Sequence, residues 1–584
     1  MKKTFYSFIS VLLITKALAS GQAEKNITIT STDLTKVGTS IPASDIGEPV
    51  SSVKLYDPRW VEATSNSPAY AVVEGSIFPV DENGYPINFR VLLPANWSRR
   101  SIQSGGGGMN GSITVREGRN PLVAKGFVNY GSDSGHQAGG MPGMPGQGGG
   151  ASNIAKGPGS GNEWALNDEA IRNLGYMQMK KTHDAAMVII KRLYGELPAY
   201  NYYQGASQGG REGLAVAQRY PKDYNGILSD VPIVSFSNLM LAPELIRIQE
   251  IPLNNWVPAT KTNAVRAEFL RQCDNLDGIS DGIINNYVDA RALFDVTDGV
   301  GPADPWAALR VSSDPDPKDA TVSAKLTDGM IKTLEFVYSP YKFKEPLAFG
   351  TKSFGMWIPN VEPDGFGLIS GERYKGQEGA PENAQVHSNL GVLGVTGFLM
   401  HDINGNPLDY KENAEMLKRR KQLSEWLDAT NPDLSEFYKN GGKIIMTVGT
   451  NDNIASSGAQ LDYYQSLINA MGEKKLDQFA RMFVVPQAGH GLSGRSYSVN
   501  GEGKPVEVKQ IPSPNGDDKL DLLISWVEKN QSPAKTLIID DKGRIKKEAE
   551  GKGYLLCSYP QYPKYTSGPT DQVSSYVSAA PAKK

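Results

Sequence analysis

A serine between glycines is the feature of this chain best suited to chemistry. Residues 205–209 read Gly-Ala-Ser-Gln-Gly, which matches the Gly-X-Ser-X-Gly nucleophile elbow. The aromatic run 199–203 before it predicts a strand, and residues 212–220 after it predict a helix that stops at Pro221. Small neighbours let the chain make the sharp turn, and the helix N-terminus favours a developing negative charge. The pattern predicts that Ser207 is a nucleophile.

A serine nucleophile needs a general base, and the chain has five histidines. In α/β-hydrolases the order along the chain is serine, acid, histidine, so His387, His401 and His490 are the candidates. The short apolar run 482–486 predicts a strand that leads to His490, which has glycine on both sides. No comparable strand precedes His387 or His401, which are typical of polar loop residues. His490 is therefore the predicted base.

The acid of such a triad should follow the preceding strand. Residues 441–449 have the apolar, β-branched composition of a buried strand, and Asp452 comes three residues after its end. Functional groups of such sheets lie at the carboxyl ends of strands. Asp462 is the rival, but it falls within a predicted helix at 461–467. Asp452 would hold the imidazole of His490 in one tautomer and stabilise the imidazolium.

An oxyanion hole needs two backbone N–H groups. One is expected from Gln208, the residue after the nucleophile, and the other from an early loop that follows a strand. Residues 105–108 are four consecutive glycines upstream of the elbow, which would let the backbone approach an oxyanion closely. We expect Gly107 and Gly108 to supply the second donor. A flexible turn is the alternative interpretation of the glycine run.

Short motifs along most of the chain resemble the tannase and feruloyl esterase family of serine esterases. In chain order they are Leu93-Pro94-Ala95-Asn96-Trp97, Asp133-Ser134-Gly135-His136, Tyr194-Gly195, Gln218-Arg219-Tyr220-Pro221, the run 273–282, the run 431–435 before Gly441-Gly442-Lys443, and Leu556-Cys557-Ser558-Tyr559-Pro560. The resemblance implies an α/β fold, with an α/β-hydrolase core and a large inserted lid domain. It also implies hydrolysis of phenolic acid esters through an acyl-serine. We expect the substrates to be hydroxycinnamoyl esters of the feruloyl or chlorogenate type rather than galloyl esters. A non-catalytic binding protein of the same fold is the alternative class.

The chain departs from the family at two positions. Many members have one cysteine before the nucleophile and one after the catalytic histidine, joined by a disulfide, where this chain has Ala206 and Gly491. The two cysteines present, Cys273 and Cys557, stand where the family usually has a disulfide, but neither usual partner is there. They either pair with each other or remain buried thiols, and two free thiols are slightly favoured because pairing would need a shift of geometry.

An acidic loop is the second candidate site. Residues 274–282 place three aspartates within eight residues, with glycines that permit a tight turn, which suits a hard cation such as Ca²⁺. The spacing is not that of an EF-hand, and a solvated acidic turn is the alternative. The family resemblance implies a structural calcium site, and its expected ligands are the side chains of Asp274, Asp277 and Asp281 and the carbonyls of Ile279 and Ile283.

Composition sets the broad class and the expected partners. With 584 residues, 39% of them hydrophobic and 21% charged, the chain is typical of a globular enzyme with more than one unit. The net charge of −3, without a basic run, argues against nucleic acid or an anionic membrane surface as a partner. A small aromatic ester is the expected ligand, and we expect a monomer or a weak homo-oligomer.

The expected organisation has three parts. Residues 1–19 have the two lysines, the short apolar run and the Ala-Leu-Ala ending of a signal peptide, which predicts export to the periplasm or outside the cell. Residues 38–235 and 436–575 are the predicted catalytic domain, and residues 236–435 the predicted lid, which includes the calcium loop. The tail from Ser578 is predicted to be disordered.

Overall fold

The computed structural model describes residues 26–118, 120–137, 155, 161–253, 257, 261–310, 325–359, 393–546 and 551–582. The predicted signal peptide at 1–19 and His387 lie outside these ranges. None of the helices in the described ranges has the length and hydropathy of a membrane span.

The strands fall into one large sheet and several small ones. In chain order they are β1 (Ile27–Thr28), β2 (Ser40–Ile41), β3 (Ser52–Leu55), β4 (Arg59–Val61), β5 (Tyr70–Phe78), β6 (Ile87–Pro94), β7 (Asn96–Trp97), β8 (Arg100–Ser104), β9 (Phe127–Ser132), β10 (Tyr200–Ala206), β11 (Gly226–Asp230), β12 (Tyr341–Lys342), β13 (Ser353–Phe354), β14 (Lys443–Gly449), β15 (Ala480–Val485), β16 (Gly494–Arg495), β17 (Gln510–Ile511), β18 (Thr536–Ile539), β19 (Ile545–Lys546), β20 (Tyr554–Cys557), β21 (Tyr562–Tyr565) and β22 (Tyr576–Ala579).

The central sheet has the order β15-β14-β11-β10-β8-β9-β6-β5-β3-β2, with β4 paired to β5. The strands from β15 to β9 in this order are parallel, and those from β9 onward are antiparallel. β15 is buried along its whole length and β14 is buried after Lys443, as expected for strands covered on both faces, whereas β8 and β10 are partly exposed toward their ends. The carboxyl ends of β8, β10, β14 and β15 therefore meet along one edge.

The helices cover this sheet and build the inserted segment. The α-helices are, in chain order, α1 (Pro121–Ala124), α2 (Asp168–Arg172), α3 (Gln178–Tyr194), α4 (Gln208–Arg219), α5 (Phe236–Leu253), α6 (Thr262–Cys273), α7 (Tyr287–Phe294), α8 (Asp328–Tyr338), α9 (Ala414–Leu427), α10 (Ser435–Lys439), α11 (Ser457–Met471), α12 (Glu473–Leu476) and α13 (Gly516–Lys529). Short 3-10 helices are Ser31–Lys36, Ala43–Asp45, Glu163–Leu166, Asp274–Asp277, Ala307–Leu309, Ala348–Gly350, Pro407–Asp409 and Val573–Ser575, and π-helical turns are Asn173–Met177 and Gly394–Leu399.

Two apolar layers hold helices against the sheet. Ile189 and Ile190 of α3 belong to one buried cluster with Phe89 and Val91 of β6. On another side, Leu523 and Trp526 of α13 share a cluster with residues of β8, β10, β11, β14 and β15. These layers bury apolar surface on the sheet, which is the main stabilising contribution to such a fold. The mixed sheet with packed helices confirms the α/β class.

The segment predicted as a lid adds no strand to the central sheet within its described parts. It has its own aromatic cluster, in which Phe269 packs edge-on against Phe294 and Tyr338 and beside Trp306. A bidentate ion pair between Arg291 of α7 and Asp462 of α11 joins this segment to the rest of the chain. The domain boundaries at 236 and 435 stay predictions.

The prediction of a disordered tail was wrong for its first residues. Ser578 and Ala579 belong to β22, which pairs with β21 in antiparallel register. The backbone pairing supplies hydrogen-bond partners that a polar, alanine-rich sequence does not reveal by itself.

Candidate active site

Ser207 stands at the turn between β10 and α4, as the glycine spacing predicts. Its φ of 62° and ψ of −119° lie in a region that a residue with a side chain rarely adopts. A Cβ at Gly205 would lie 2.4 Å from the backbone of Gly209, so only glycine fits there. The serine amide donates to the carbonyl of Asp230 at 3.0 Å, which holds the turn against the next strand. The strained turn leaves the Ser207 hydroxyl at the N-terminus of α4.

The three side chains predicted as a triad are joined by hydrogen bonds. Nε2 of His490 lies 2.8 Å from the hydroxyl oxygen of Ser207. Nδ1 of the same ring lies 3.0 and 3.1 Å from the two oxygens of Asp452. All three distances are those of ordinary hydrogen bonds, and the imidazole thus has one nitrogen for each partner. The arrangement allows proton transfer from the serine to the ring while the carboxylate stabilises the imidazolium.

The environment of this set favours a charged imidazole. Burial by itself would lower the pKa of His490, but the charge of Asp452 and its hydrogen bond outweigh burial, so the pKa is raised. Asp452 is completely buried and accepts from the amides of Ile454 and Ala455 at 3.0 and 2.9 Å. The side-chain amide of Gln460 donates to its other oxygen at 3.2 Å. These donors fix the carboxylate toward the ring.

The rival acid and the other described histidines have other partners or positions. Asp462, the rival acid, lies in α11 and pairs with Arg291. His401 is exposed and lies just after the π-helical turn 394–399. His136 is fully buried and stacked on Trp164, with ring centroids 3.7 Å apart, and burial lowers its pKa to about 3. His183 is buried beside Asp184, at 3.0 Å.

The glycine loop lies directly against the elbow. The amide of Gly209 donates to the carbonyl of Gly106 at 2.8 Å. A Cβ at Gly107 would have no atom within 4 Å, so this residue faces open space. Gly108 has a φ of 59°, which is a left-handed conformation. Gln208, the first residue of α4, is buried, and its side chain accepts from Arg211 at 2.8 Å. The structure brings the predicted oxyanion donors to the same edge as Ser207, and their role stays a prediction.

Three residues around the site were not predicted from the sequence. Gln460 contacts Asp452, as described above. Gln487 has a positive φ of 48°, and its amide donates to the hydroxyl of Thr450 at 2.7 Å, which ties the loop of His490 to the loop of Asp452. Glu212 contacts the glycine loop through Gly106 at 2.9 Å. Their spacing from the triad gives no signal, except that Glu212 shares the first turns of α4 with the nucleophile.

The acidic loop follows α6 and is bent at Gly278 and Gly282, which have φ values of 97° and 80°. Asp274 accepts from the amide of Gly282, Asp277 from that of Ile279, and Asp281 from that of Ile283. Burial and the charge of Asp281 raise the pKa of Asp274 to about 6 and that of Asp277 to about 7. Lys509, at 3.4 Å from Asp281, is a cation at the edge of this group.

These residues suit Ca²⁺ in donor chemistry. Carboxylate and carbonyl oxygens are the ligands that Ca²⁺ prefers, and a divalent cation would offset the burial of the acidic groups. Within the described residues, however, the group of three or more acidic, histidine or cysteine side chains whose ligand atoms all lie within 4.8 Å of one another is His183, Asp184 and Asp223. Lys180 already pairs with both carboxylates of that group, at 2.8 and 2.9 Å. The loop aspartates are spread more widely.

Both cysteines are free and buried, so the slightly favoured alternative is confirmed. Burial raises the pKa of Cys273, and it raises the pKa of Cys557 to about 11, so neither is a reactive thiolate at neutral pH. At the positions where the family has its disulfide beside the triad, Ala206 and Gly491 are exposed. The triad is held by hydrogen bonds and packing instead.

Comparison with known proteins identifies the family of this chain. The family profile described as tannase and feruloyl esterase matches residues 71–579. The chain is 30% identical over 559 residues to an uncharacterized esterase of Agrobacterium fabrum, covering 93% of this chain and 91% of the relative. It is 25% identical over 558 residues to a mono(2-hydroxyethyl) terephthalate hydrolase of Piscinibacter sakaiensis, covering 88% and 85%.

A solved structure shares the fold. Feruloyl esterase B from Aspergillus oryzae superposes with a TM-score of 0.67 at 20% identity, covering 92% of this chain and 100% of that chain. The α/β-hydrolase prediction is thereby confirmed. The match to the profile covers most of the chain, and the related proteins are esterases. The chain belongs to the tannase and feruloyl esterase family of carboxylic ester hydrolases.

Proposed function

We propose that this esterase cleaves hydroxycinnamoyl esters, of the feruloyl or chlorogenate type, through an acyl-enzyme on Ser207. The observation that carries the proposal is the continuous hydrogen-bonded set from the Ser207 hydroxyl through His490 to the buried Asp452. An unreactive protein of this fold would have no need for a strained serine beside a paired imidazole.

The reaction follows from these positions. The Ser207 hydroxyl attacks the ester carbonyl carbon while Nε2 of His490 takes its proton, and Asp452 stabilises the imidazolium. The amides of Gln208 and of Gly107 or Gly108 stabilise the oxyanion of the tetrahedral intermediate. The intermediate collapses, the alcohol leaves with the proton from His490, and the acyl group stays on the serine. Water, deprotonated by His490, then attacks the acyl group, and the aromatic acid is released as His490 returns the proton to the Ser207 oxygen.

The substrate class is supported by family membership and by the names of relatives. Feruloyl esterase B and the terephthalate monoester hydrolase both carry names that denote an aromatic acid ester. The family description also includes tannase, so galloyl esters are the second candidate. The two classes differ in the ring substituents, a propenoic linker in hydroxycinnamates and three hydroxyls in gallates. The non-catalytic alternative is disfavoured by the intact hydrogen-bonded set.

The remaining features complete the proposal. Ca²⁺ would be held by Asp274, Asp277 and Asp281 and by the carbonyls of Ile279 and Ile283, where it would supply fixed positive charge that stabilises the loop. The enzyme would act outside the cytoplasm, in the periplasm or beyond, as a monomer or weak homo-oligomer on a small aromatic ester.

Two measurements test the proposal. Ser207→Ala and His490→Ala should each lower the release of p-nitrophenol from a short acyl ester by about 10⁴-fold or more. Ser493→Ala is the matched control, because Ser493 is exposed on the loop that carries His490, and it should keep turnover. Near-normal turnover by Ser207→Ala would refute the assignment of Ser207 as the nucleophile.

A substrate panel decides the class. Methyl ferulate, chlorogenate, methyl gallate, tannic acid and mono(2-hydroxyethyl) terephthalate should be compared by kcat/KM. We expect the two hydroxycinnamoyl esters to be the best substrates. A higher kcat/KM on methyl gallate would favour the galloyl alternative.

A further inference from the structure

Glu212 is a completely buried carboxylate on α4 that accepts four hydrogen bonds. One oxygen, Oε2, accepts from the backbone amide of Gly106 at 2.9 Å and from the hydroxyl of Tyr203 at 2.7 Å. The other, Oε1, accepts from the side-chain amides of Gln178 at 3.1 Å and Gln208 at 3.5 Å. Three of these donors lie outside α4, in the glycine loop, in β10 and in α3, so the carboxylate joins these elements to α4, while Gln208 belongs to α4 itself.

Keeping an acid at this depth is costly. Burial raises the pKa of Glu212 although the positive charge of Arg211 opposes that rise. Arg211 itself donates to the carbonyls of Leu174 and Gly175 at 2.7 and 2.6 Å, and not to the carboxylate as an ion pair. An apolar side chain of similar volume would avoid the desolvation of a carboxyl group. The polar contacts of Glu212 therefore need an explanation other than core filling.

The contact with Gly106 provides that explanation. The N–H of Gly106 donates to Glu212, and the carbonyl of Gly106 accepts from Gly209 at 2.8 Å. Both backbone polar groups of this residue are therefore held by α4. The next residue, Gly107, faces open space. A glycine run has little rigidity of its own. The position of the following amides relative to Ser207 thus depends on the contacts at Gly106.

We propose that Glu212 is a positioning residue that fixes the glycine loop on the nucleophile helix, so that the amides of Gly107 and Gly108 stay within reach of the oxyanion. The inference rests on the proposed function, since it concerns the same reaction. Catalytic donors must be held to within about 0.5 Å of their working position. Because such donors act on the tetrahedral state and not on the bound ester, their displacement lowers kcat with little change in KM.

Three variants separate positioning from folding. Glu212→Leu should lower kcat on a p-nitrophenyl ester by about 10²- to 10³-fold, the loss that follows removal of one oxyanion donor. Glu212→Gln keeps an acceptor oxygen, which must serve two donors, and should lower kcat by about three- to tenfold. Tyr203→Phe removes one donor to the carboxylate but leaves the Gly106 contact, and should stay within about twofold of the wild type.

Binding of inhibitors gives a readout that a merely structural role would not change selectively. An aryl boronic acid forms a tetrahedral adduct on the serine, whereas the free aromatic acid resembles the product. Glu212→Leu should weaken inhibition by the boronic acid by a factor similar to the loss in kcat/KM and leave inhibition by the free acid unchanged. Glu169→Gln is the matched control, since Glu169 is a buried acid that accepts from the amides of Val80 and Asp81. It should keep kcat.

The outcomes are distinguishable from those that test the proposed function. Folding of each variant is checked by circular dichroism and the thermal midpoint. An unchanged kcat in folded Glu212→Leu overturns the inference, as does an unchanged kcat in Glu212→Gln if the leucine variant does not fold. An equal loss of affinity for the boronic acid and the free acid also overturns it. If Ser207→Ala retains turnover, the proposed function fails instead.

Discussion

Replacing Gly209 with alanine should damage catalysis far more than stability. The added Cβ would lie 2.7 Å from the carbonyl oxygen of Gly106 and 3.0 Å from the carbonyl carbon of Gly105. Ordinary contacts are longer, so the glycine loop must move away by about 0.5 Å, which is as large as the tolerance of a catalytic constellation. The hydrogen bond from the Gly209 amide to Gly106 would lengthen at the same time.

The magnitude follows from two opposing effects on stability and one on rate. Overpacking costs about 1–3 kcal/mol, and alanine gains about 1 kcal/mol over glycine within a helix, so the net destabilisation is about 0–2 kcal/mol. The protein should therefore remain folded. Displacing one oxyanion donor costs about 10²-fold or more in kcat, while KM changes little.

The assay is steady-state hydrolysis of a p-nitrophenyl ester, with the thermal midpoint followed by circular dichroism. Gly491→Ala is the matched control, because a Cβ there would meet no atom within 4 Å although the residue adjoins His490. It should keep kcat. Folded Gly209→Ala with wild-type kcat would refute the conclusion that the glycine loop must pack this closely on the elbow. A loss of kcat in both variants would instead indicate a general sensitivity of the site.

Other predictions concern pH, metal and redox state. The neutral form of His490 is the base, so kcat/KM should fall as the pH drops through its raised pKa. Asp452→Asn should move this acid limb of the pH profile to lower pH, because the charge that raises the pKa of His490 is gone. An unmoved limb in the pH profile of the residual activity would contradict the pairing of Asp452 with the base. A chelator should lower the thermal midpoint, and added Ca²⁺ should restore it. At a free Ca²⁺ concentration 100 times the Kd, binding should raise the free energy of unfolding by about 2.7 kcal/mol, with Mg²⁺ as the control. Absence of calcium by elemental analysis of the purified protein would count against the site. Reductant should leave turnover intact because Cys273 and Cys557 are free thiols, and a rapid, reversible loss of turnover with the fold retained would contradict this.

The reactive set could be predicted from local sequence because each member depends on a local rule. The spacing of glycines around Ser207 is a steric requirement of the turn itself, since neighbouring backbone atoms leave no room for a side chain. Asp452 and His490 follow apolar runs that are recognisable as strands, and parallel strands bring their carboxyl ends to one edge. The loop length after each strand then placed these side chains within hydrogen-bond distance.

The partners that hold this set could not be predicted in the same way. Glu212 contacts Gly106, which lies 106 residues earlier, and Gln487 contacts Thr450, which lies 37 residues earlier. The free state of both cysteines also depends on where the fold places them.

The strained serine, the order of serine, acid and histidine, and the family can all be inferred from the amino-acid sequence alone. Which side chains support the triad depends on the three-dimensional fold. The pairing of β10 with β8 brings the glycine loop beside the elbow, although the two strands are far apart in the chain. The physical reason is that backbone sterics act between neighbouring residues, whereas a buried hydrogen bond needs a donor and an acceptor brought together by strand order.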